Sequence, residues 1–246
     1  MKRWRKVICA VLVLLAALLA GLYGWQRENV RAVTDAVQYT SGELEEKLVE
    51  NRQVIRDAVE AAPEIVVREV TEEERQALRD GAMSREELAE RLQDAGGQTA
   101  PSSGDQAAEI PAETGDAAAP AQKPTESPYQ KELSAMIAKV YVLREEYTIA
   151  LENLYDAAKA EYTDLPAEKR TKPGLMKMAG RYMDQAAELE KECDGKMDAL
   201  VAAMEKLIRE NQGDMTLVDT VVDTYANEKS LKKAWYMAKL EENGLV

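Results

Sequence analysis

The sequence predicts an all-α protein: an N-terminal transmembrane helix that continues into a coiled-coil-like stalk, a short helical hairpin, a disordered linker and a C-terminal antiparallel three- or four-helix bundle. Three observations support this fold class. Residues 7–25 carry no charge and are numerous enough to span a bilayer. Apolar residues recur at steps of three and four in most of the remaining chain. Residues 96–128 interrupt that pattern with Pro, Gly and Ala.

The composition excludes several classes of function. The chain of 246 residues has no His, which excludes a His-based catalytic triad and a His-ligated metal or haem. Its two Cys are too few for a disulfide scaffold, a four-Cys zinc site or an iron–sulfur cluster. The net charge of −13 argues against a nucleic-acid partner, because binding to phosphates needs a basic face. We therefore predict no catalytic, cofactor-binding or metal-binding residues.

The first predicted element is a transmembrane helix over residues 7–25, with the sequence VICAVLVLLAALLAGLYGW. Nineteen residues in a helix span about 28 Å, close to the thickness of the hydrocarbon core. Trp4 precedes the run, and Tyr23 and Trp25 end it, as in an aromatic belt at the two interfaces.

A basic tail over residues 1–6 sets the predicted orientation. Its basic residues are Lys2, Arg3, Arg5 and Lys6. The positive-inside rule places this tail in the cytoplasm and residues 26–246 on the extracytoplasmic side of the cell membrane. A cleaved signal peptide is the alternative. The apolar run is longer than in most signal peptides, and Leu18 stands where cleavage after Ala20 would need a small residue.

The next predicted element is a helical stalk over residues 26–62, which Pro63 ends. Its stripe of apolar or small residues is narrow, as in a two- or three-stranded seam. The stripe consists of Val30, Val33, Val37, Thr40, Leu44, Leu48, Ile55, Ala58 and Ala62. Self-association through this stripe and a solitary charged stalk are alternatives that the pattern leaves open.

Residues 63–95 are predicted to form a connector and a short helical hairpin. Two capping boxes, Thr71 with Glu74 and Ser84 with Glu87, begin the helices, and Asp80-Gly81 ends the first one. The pattern of Leu, Asp-Gly and then Ser-x-Glu-Glu resembles the short helical hairpins called SHOCT domains. That resemblance implies two capped helices joined by a glycine turn, and we carry no function over from it.

Residues 96–128 are predicted to be a disordered linker, and residues 129–246 a helical bundle. The linker has one large apolar residue, Ile110, so burial cannot offset the entropy of ordering it. We expect it to separate the bundle from the stalk. Within the bundle, long amphipathic helices are expected over about 129–164 and 175–211. A third segment begins near Thr216, with a break expected near residues 227–230 and Gly213 as the preceding cap.

Four features of the exported part could carry chemistry, and each also has a structural interpretation. Cys193 lies in an apolar stripe, where it is either a core residue or a thiol that can be oxidised. The carboxylate pairs are a catalytic pair or a solvated face: Glu72-Glu73-Glu74, Glu145-Glu146, and Glu188 with Glu192. The tyrosines either replace Phe in the core or line a groove: Tyr141, Tyr147, Tyr155, Tyr162, Tyr182, Tyr225 and Tyr236. The basic clusters either bind an anionic polymer or are solvated: Lys169, Arg170, Lys172, Lys177 and Arg181, then Lys229, Lys232 and Lys233.

The sequence thus favours a single-pass, membrane-anchored extracytoplasmic protein that is not an enzyme. Its predicted role is a scaffold or tether for a cell-envelope partner. The predicted contacts are the lipid bilayer through residues 7–25 and a protein partner, or a second copy, through the stalk. The alternative is a ligand-binding module whose Tyr- and Met-lined groove binds a peptide or an envelope polymer.

Overall fold

The computed structural model describes residues 31–62, 65–94, 127–166, 168 and 171–242. Within these ranges the chain contains helices and no strand, which confirms the predicted all-α class. The helices are α1 over residues 31–38, α2 (Ser41–Glu60), α3 (Glu72–Arg79), α4 (Arg85–Asp94), α5 (Pro128–Asp164), α6 (Lys172–Glu210) and α7 (Thr216–Glu242).

The predicted transmembrane helix at residues 7–25 lies outside the described residues, as do the basic tail and the linker from residue 96 to residue 126. In the part of the chain that is described, no helix combines the length and the apolar character needed to cross a bilayer.

The chain divides into two compact units. The first unit comprises Met1–Ala58, Glu152–Glu188 and Met215–Val246, and the second comprises Val59–Leu151 and Leu189–Asp214. Both long helices, α5 and α6, therefore contribute one part to each unit.

The chain turns at residues 39 and 40, between α1 and α2, where the sequence predicted one continuous stalk helix. The backbone N–H and the hydroxyl of Thr40 each donate a hydrogen bond to Glu43 Oε2 at 2.8 Å, and the N–H of Glu43 donates to Thr40 Oγ1 at 3.3 Å. These reciprocal bonds form a capping box that begins α2. The hydrogen bond from the Thr40 backbone is the main cause of the lowered pKa of Glu43.

The turn changes which residues of α1 face inwards. Ala32 is buried and Ala36 is half-buried, whereas Val33 and Val37 are 50% and 82% exposed. The predicted stripe contained the two valines, because it assumed that the helical phase continues through Thr40.

In the first unit, α2 packs against α7 and runs antiparallel to it. Leu44 and Leu48 form a core with Leu231, Ala234 and Ala238. Ser41 donates its N–H and hydroxyl to the two carboxylate oxygens of Glu242, at 3.1 and 2.8 Å, and the backbone part of this contact lowers the pKa of Glu242. Leu44 and Leu48, in the middle of the predicted stalk stripe, are therefore covered by α7 of the same chain.

A polar layer continues the contact between α2 and α7. Asn51 is buried, and its amide Nδ2 donates a hydrogen bond to the carbonyl oxygen of Thr224 at 2.9 Å. Arg52 Nε lies 3.1 Å from Glu228 Oε1. α7 runs without interruption through residues 227–230, where a break was expected from the sequence, and this continuity places Thr224 and Glu228 on the same face of α7.

In the second unit, the predicted connector and hairpin pack on α5. The N–H of Val66 donates to Ser134 Oγ at 3.0 Å, and the N–H of Arg68 donates to the carbonyl oxygen of Leu92 at 3.1 Å. The predicted capping box of Thr71 begins α3, and Gly81, with φ of 70°, ends it. The flanks of the predicted linker therefore belong to one unit, since both Asp94 and Ser127 fall within it.

The long helices begin and end at local signals. Ser127 and Gln130 cap α5 reciprocally, and Pro128 takes the first helical position. At the end of α6, the N–H of Gly213 bonds to Ile208 and the N–H of Gln212 to Arg209, which is a Schellman motif. The left-handed residue of this motif is Gln212, with φ of 56°.

Replacement of Leu48 by Ala tests whether α2 belongs to the folded body. Leu48 is buried, so its truncation should lower the free energy of unfolding by about 2–4 kcal/mol. The neighbouring Val49 is 63% exposed, so Val49→Ala should change it by less than about 0.5 kcal/mol. Urea unfolding of the full chain in detergent, followed by circular dichroism, measures both. Equal, small effects of the two substitutions would show that α2 is a solitary stalk.

Candidate functional site

A network of charged side chains joins the hairpin to α5 in the second unit. Glu145 is only 4% exposed. Its two oxygens lie 3.1 Å from Arg75 Nε on α3 and 3.1 Å from Arg144 Nε on α5. Arg144 also approaches Glu69 of the connector at 3.9 Å. A buried carboxylate is stable as an anion only when cations or hydrogen-bond donors surround it, and Glu145 meets this requirement.

The next residue of α5 lies at the wall of a groove. Glu146 Oε1 lies 3.1 Å from Arg85 Nη1 and 3.6 Å from Lys196 Nζ of α6. A hydrogen bond with Glu192, at 2.7 Å, is the main cause of the raised pKa of Lys196. The groove has a volume of about 310 Å³ and is lined by Leu78, Met83, Ser84, Arg85, Glu86, Glu146 and Ile149. It is an amphipathic depression between the hairpin and α5.

Most of the carboxylates named in the sequence analysis form ion pairs in the structure, whereas Glu73 and Glu188 are exposed: the paired ones are Glu72, Glu74, Glu145, Glu146 and Glu192. Glu145 and Glu146 each contact two cationic side chains. Glu74 receives both terminal nitrogens of Arg68, and this contact is the main cause of its lowered pKa. A carboxyl group with a lowered pKa stays ionised at neutral pH and is a poor proton donor.

Metal binding has no candidate donor set in the described part of the chain. No group of three or more Cys, Asp or Glu side chains there is arranged to hold a metal ion.

The tyrosines do not form one exposed row. Tyr141 is buried, and its ring lies under the Arg144 guanidinium at 5.1 Å. The six others are half-buried: Tyr147, Tyr155, Tyr162, Tyr182, Tyr225 and Tyr236. Tyr155 and Tyr236 come together with Trp235 in the first unit.

These three residues, Tyr155, Trp235 and Tyr236, form what we call the aromatic cluster. The ring of Tyr236 lies 4.9 Å from that of Trp235, edge to face, and 5.6 Å from that of Tyr155. Lys239 Nζ lies 5.4 Å from the Trp235 ring, as in a cation–π contact. All three rings are half-buried, so each keeps part of its surface accessible.

The basic clusters do not form one continuous patch in the described part of the chain. Lys169 and Arg170 lie outside that part, and Lys177 is exposed. Arg181 is exposed but forms two 2.6 Å contacts with Glu161. Lys229 is buried over the ring of Tyr225 rather than solvated.

Cys193 is buried, as its position in the apolar stripe predicts. Burial favours the structural interpretation of this thiol over a reactive one.

The sequence analysis missed the burial of Glu145, although the sequence contains a signal for it. Tyr141, Glu145 and Ile149 follow each other at steps of four, so Glu145 lies in the middle of a buried face of α5. An acid in such a position predicts a cationic partner from another element. Arg75 could not be identified as that partner, because the sequence does not show how α3 docks.

Comparisons of the chain with protein-family models, with curated proteins and with solved structures found no match.

Loss of the Glu145 carboxylate should show how much the charged network contributes to the free energy of unfolding. In Glu145→Gln, Arg75 and Arg144 lose their shared anion, and we expect a loss of about 2–3 kcal/mol in the free energy of unfolding. Glu146→Gln is the matched control. Its partners are largely exposed, so we expect a loss below about 1 kcal/mol. Denaturant midpoints of the two full-length variants give the comparison, and equal midpoints would contradict a dominant role for Glu145.

Proposed function

We propose that the chain is a single-pass membrane protein whose helical body acts, without catalysis, as a scaffold for a cell-envelope partner. In this proposal residues 7–25 form the anchor, residues 1–6 face the cytoplasm and residues 26–246 lie outside it. The support for the anchor comes from the uncharged run and the basic tail of the sequence.

One structural observation supports the proposed scaffold role: the chain that follows the proposed anchor is part of the folded body. α1 and all but the last two residues of α2 belong to the first unit, and α2 packs on α7 through Leu44, Leu48 and Asn51. Five residues, 26–30, lie between the proposed anchor and the first described residue. Even fully extended, this connection reaches at most about 20 Å. The first unit is thereby held close to the membrane in this proposal.

Confinement is the proposed mechanism of action. A body held beside the bilayer meets a membrane-bound or wall-bound partner at a high effective concentration, without any increase in intrinsic affinity. The linker after residue 95 does not extend this reach in our proposal, since its two flanks, Asp94 and Ser127, belong to the same unit.

The non-catalytic part of the proposal is supported by the state of the acidic groups in the second unit. Glu74 and Glu145, the two buried acids of the described residues, form ion pairs with Arg68 and with Arg75 and Arg144, and Glu146 at the groove forms one with Arg85. A general acid must donate a proton, and the Arg68 contact that lowers the pKa of Glu74 keeps this carboxyl group ionised at neutral pH.

Labelling of single cysteines in intact cells tests the anchor and the orientation. The variants carry Cys9→Ala and Cys193→Ala together with either Glu90→Cys, which lies at an exposed position of α4, or Lys2→Cys in the basic tail. A membrane-impermeant maleimide should label Glu90→Cys directly, and Lys2→Cys only after permeabilisation. Both full-length proteins should remain in the membrane pellet after alkaline carbonate extraction.

Two outcomes would contradict this proposal. Recovery of both variants in the carbonate supernatant would remove the anchor. Labelling of Lys2→Cys in intact cells, with Glu90→Cys protected, would reverse the orientation and place the body in the cytoplasm.

A second function, binding of a peptide or an envelope polymer, is favoured by the aromatic cluster. Three neighbouring half-buried rings, tilted by 43–86° to one another, offer apolar surface, and Lys239 supplies a cation beside Trp235. Such a surface suits stacking against a sugar ring or a proline.

Titration with two defined probes tests this second function. A chitin-type N-acetylglucosamine oligomer and a polyproline peptide are added separately to the full chain in detergent, and the heat of binding is measured. If either binds at the aromatic cluster, Tyr155→Ala should weaken that binding at least tenfold, which corresponds to the loss of about 1.4 kcal/mol. Tyr162→Ala, half-buried on the same helix but outside the cluster, should leave it unchanged. The absence of heat with both probes, or equal effects of the two substitutions, would contradict this function.

A further inference from the structure

An apolar stripe lies exposed on the N-terminal part of α6. Met176 is 67% exposed and Met183 is 59% exposed, and they are seven residues apart. At helical spacing, Gly180 and Ala187 complete the same face. We call Met176, Gly180, Met183 and Ala187 the Met stripe. Exposed methionines at this spacing form a continuous apolar surface rather than scattered single residues.

The Met stripe faces away from α5 because the neighbouring residues hold α6 in a fixed orientation. Arg181 contacts both oxygens of Glu161 at 2.6 Å, and the hydroxyl of Tyr182 donates to Glu161 Oε2 at 2.9 Å. Met178, on the side of Tyr182, is buried. At about 100° per residue, these contacts direct Met176 and Met183 towards solvent in the first unit.

The glycine at position 180 is consistent with contact between this face and another molecule. Glycine weakens the interior of a helix, and it is retained where another backbone or a bulky side chain approaches closely. Among the described residues, a Cβ atom added at Gly180 would meet nothing within 4 Å. The surface between Met176 and Met183 is therefore open at Gly180, which leaves room for a large side chain from another molecule.

We propose that two copies of the chain associate through the Met stripe, with the two α6 helices antiparallel. In this arrangement Met183 of each copy lies over Gly180 of the other, and Met176 lies over Ala187. Each layer then pairs a large residue with a small one, which fills space at an interface. The contact is two-fold symmetric and closes on itself, as expected for a dimer.

Charge complementarity selects a second copy as the occupant, and it selects the antiparallel direction. Lys177 and Asp184 are exposed, seven residues apart, along one edge of the stripe. An antiparallel pair brings Lys177 of each copy beside Asp184 of the other, so two opposite-charge contacts form. In a parallel pair the edge with Lys177 and Asp184 would instead lie against the opposite edge of the partner's stripe, which carries Ala179 and Ala186, so neither opposite-charge contact would form.

The proposed dimer adds a partner to the scaffold of the preceding section without depending on the anchor. Anchoring of both copies in one bilayer would raise their effective concentration and favour the contact. The surfaces that meet are nevertheless present in the chain wherever it resides. Failure of the labelling experiment would therefore leave the dimer standing, and failure of the dimer would leave the anchor standing.

Sedimentation equilibrium of the full chain in density-matched detergent measures the association. We expect a reversible monomer–dimer equilibrium. Lys177→Asp and Asp184→Lys should each weaken dimerisation at least tenfold, because each creates two like-charge contacts. The double variant, Lys177→Asp with Asp184→Lys, restores the opposite charges and should recover at least half of the lost affinity on a logarithmic scale. Lys206→Asp, at an exposed position of α6 in the second unit, is the charge control and should leave dimerisation unchanged.

A pair of glycine variants tests the packing without disturbing the fold. Gly180→Gln should abolish the dimer by filling the space that Met183 needs. Gly195→Gln is its matched control: a Cβ there also meets nothing within 4 Å, but Gly195 lies outside the stripe. Circular dichroism should show both variants folded. A wild-type chain that is monomeric at all concentrations would overturn the proposal. So would a Gly180→Gln dimer as stable as that of Gly195→Gln, or a double charge variant that recovers nothing.

Discussion

The unequal lengths of α5, α6 and α7 constrain the rest of the described fold. α5 has 37 residues and α6 has 39, whereas α7 has 27 and belongs to the first unit alone. Without further elements, the parts of α5 and α6 in the second unit would form a two-helix pair, which cannot enclose a core. Residues 65–94 supply the missing layer. This explains why a segment with only two short helices buries Leu88 and Leu92 almost completely.

The docking of that layer depends on charge as well as on apolar contact. Short helices such as α3 and α4 present few apolar side chains, so several registers on α5 would bury similar areas. Glu145 reduces this ambiguity, because its buried carboxylate gains a cation in addition to Arg144 only when Arg75 of α3 reaches the same turn of α5. The cost of desolvating the pair makes alternative registers unfavourable. In our interpretation its main contribution is therefore the position of the hairpin rather than added stability.

The sequence predicted the elements that depend on local signals. Thr71 and Gly81 defined α3, and apolar spacing defined α5 and α6. The turn at Thr40 also has a local signal, namely its capping box with Glu43. This turn was not predicted because the apolar stripe was assumed to continue through Thr40. The pairing of α2 with α7 had no such signal, since Leu44 and Leu48 suit a second copy as well as a distant helix of their own chain. Tertiary packing determines which surface covers an apolar stripe. The covering surface in turn determines whether the helix is a free stalk or part of the folded chain.

This choice of covering surface changes how a tether must work. If the stripe of α2 paired with another copy, oligomerisation would hold the chains together and the bundle would move freely beyond them. Coverage by α7 instead uses that stripe to attach the body to the chain next to the proposed anchor. Self-association then requires a different surface. The exposed methionines of α6 provide one, since α2 packs against α7 and leaves them exposed. The two apolar stripes thus have separate roles. The stripe of α2 is buried within the chain and fixes the body in place, and the Met stripe of α6 is exposed and remains accessible to a partner.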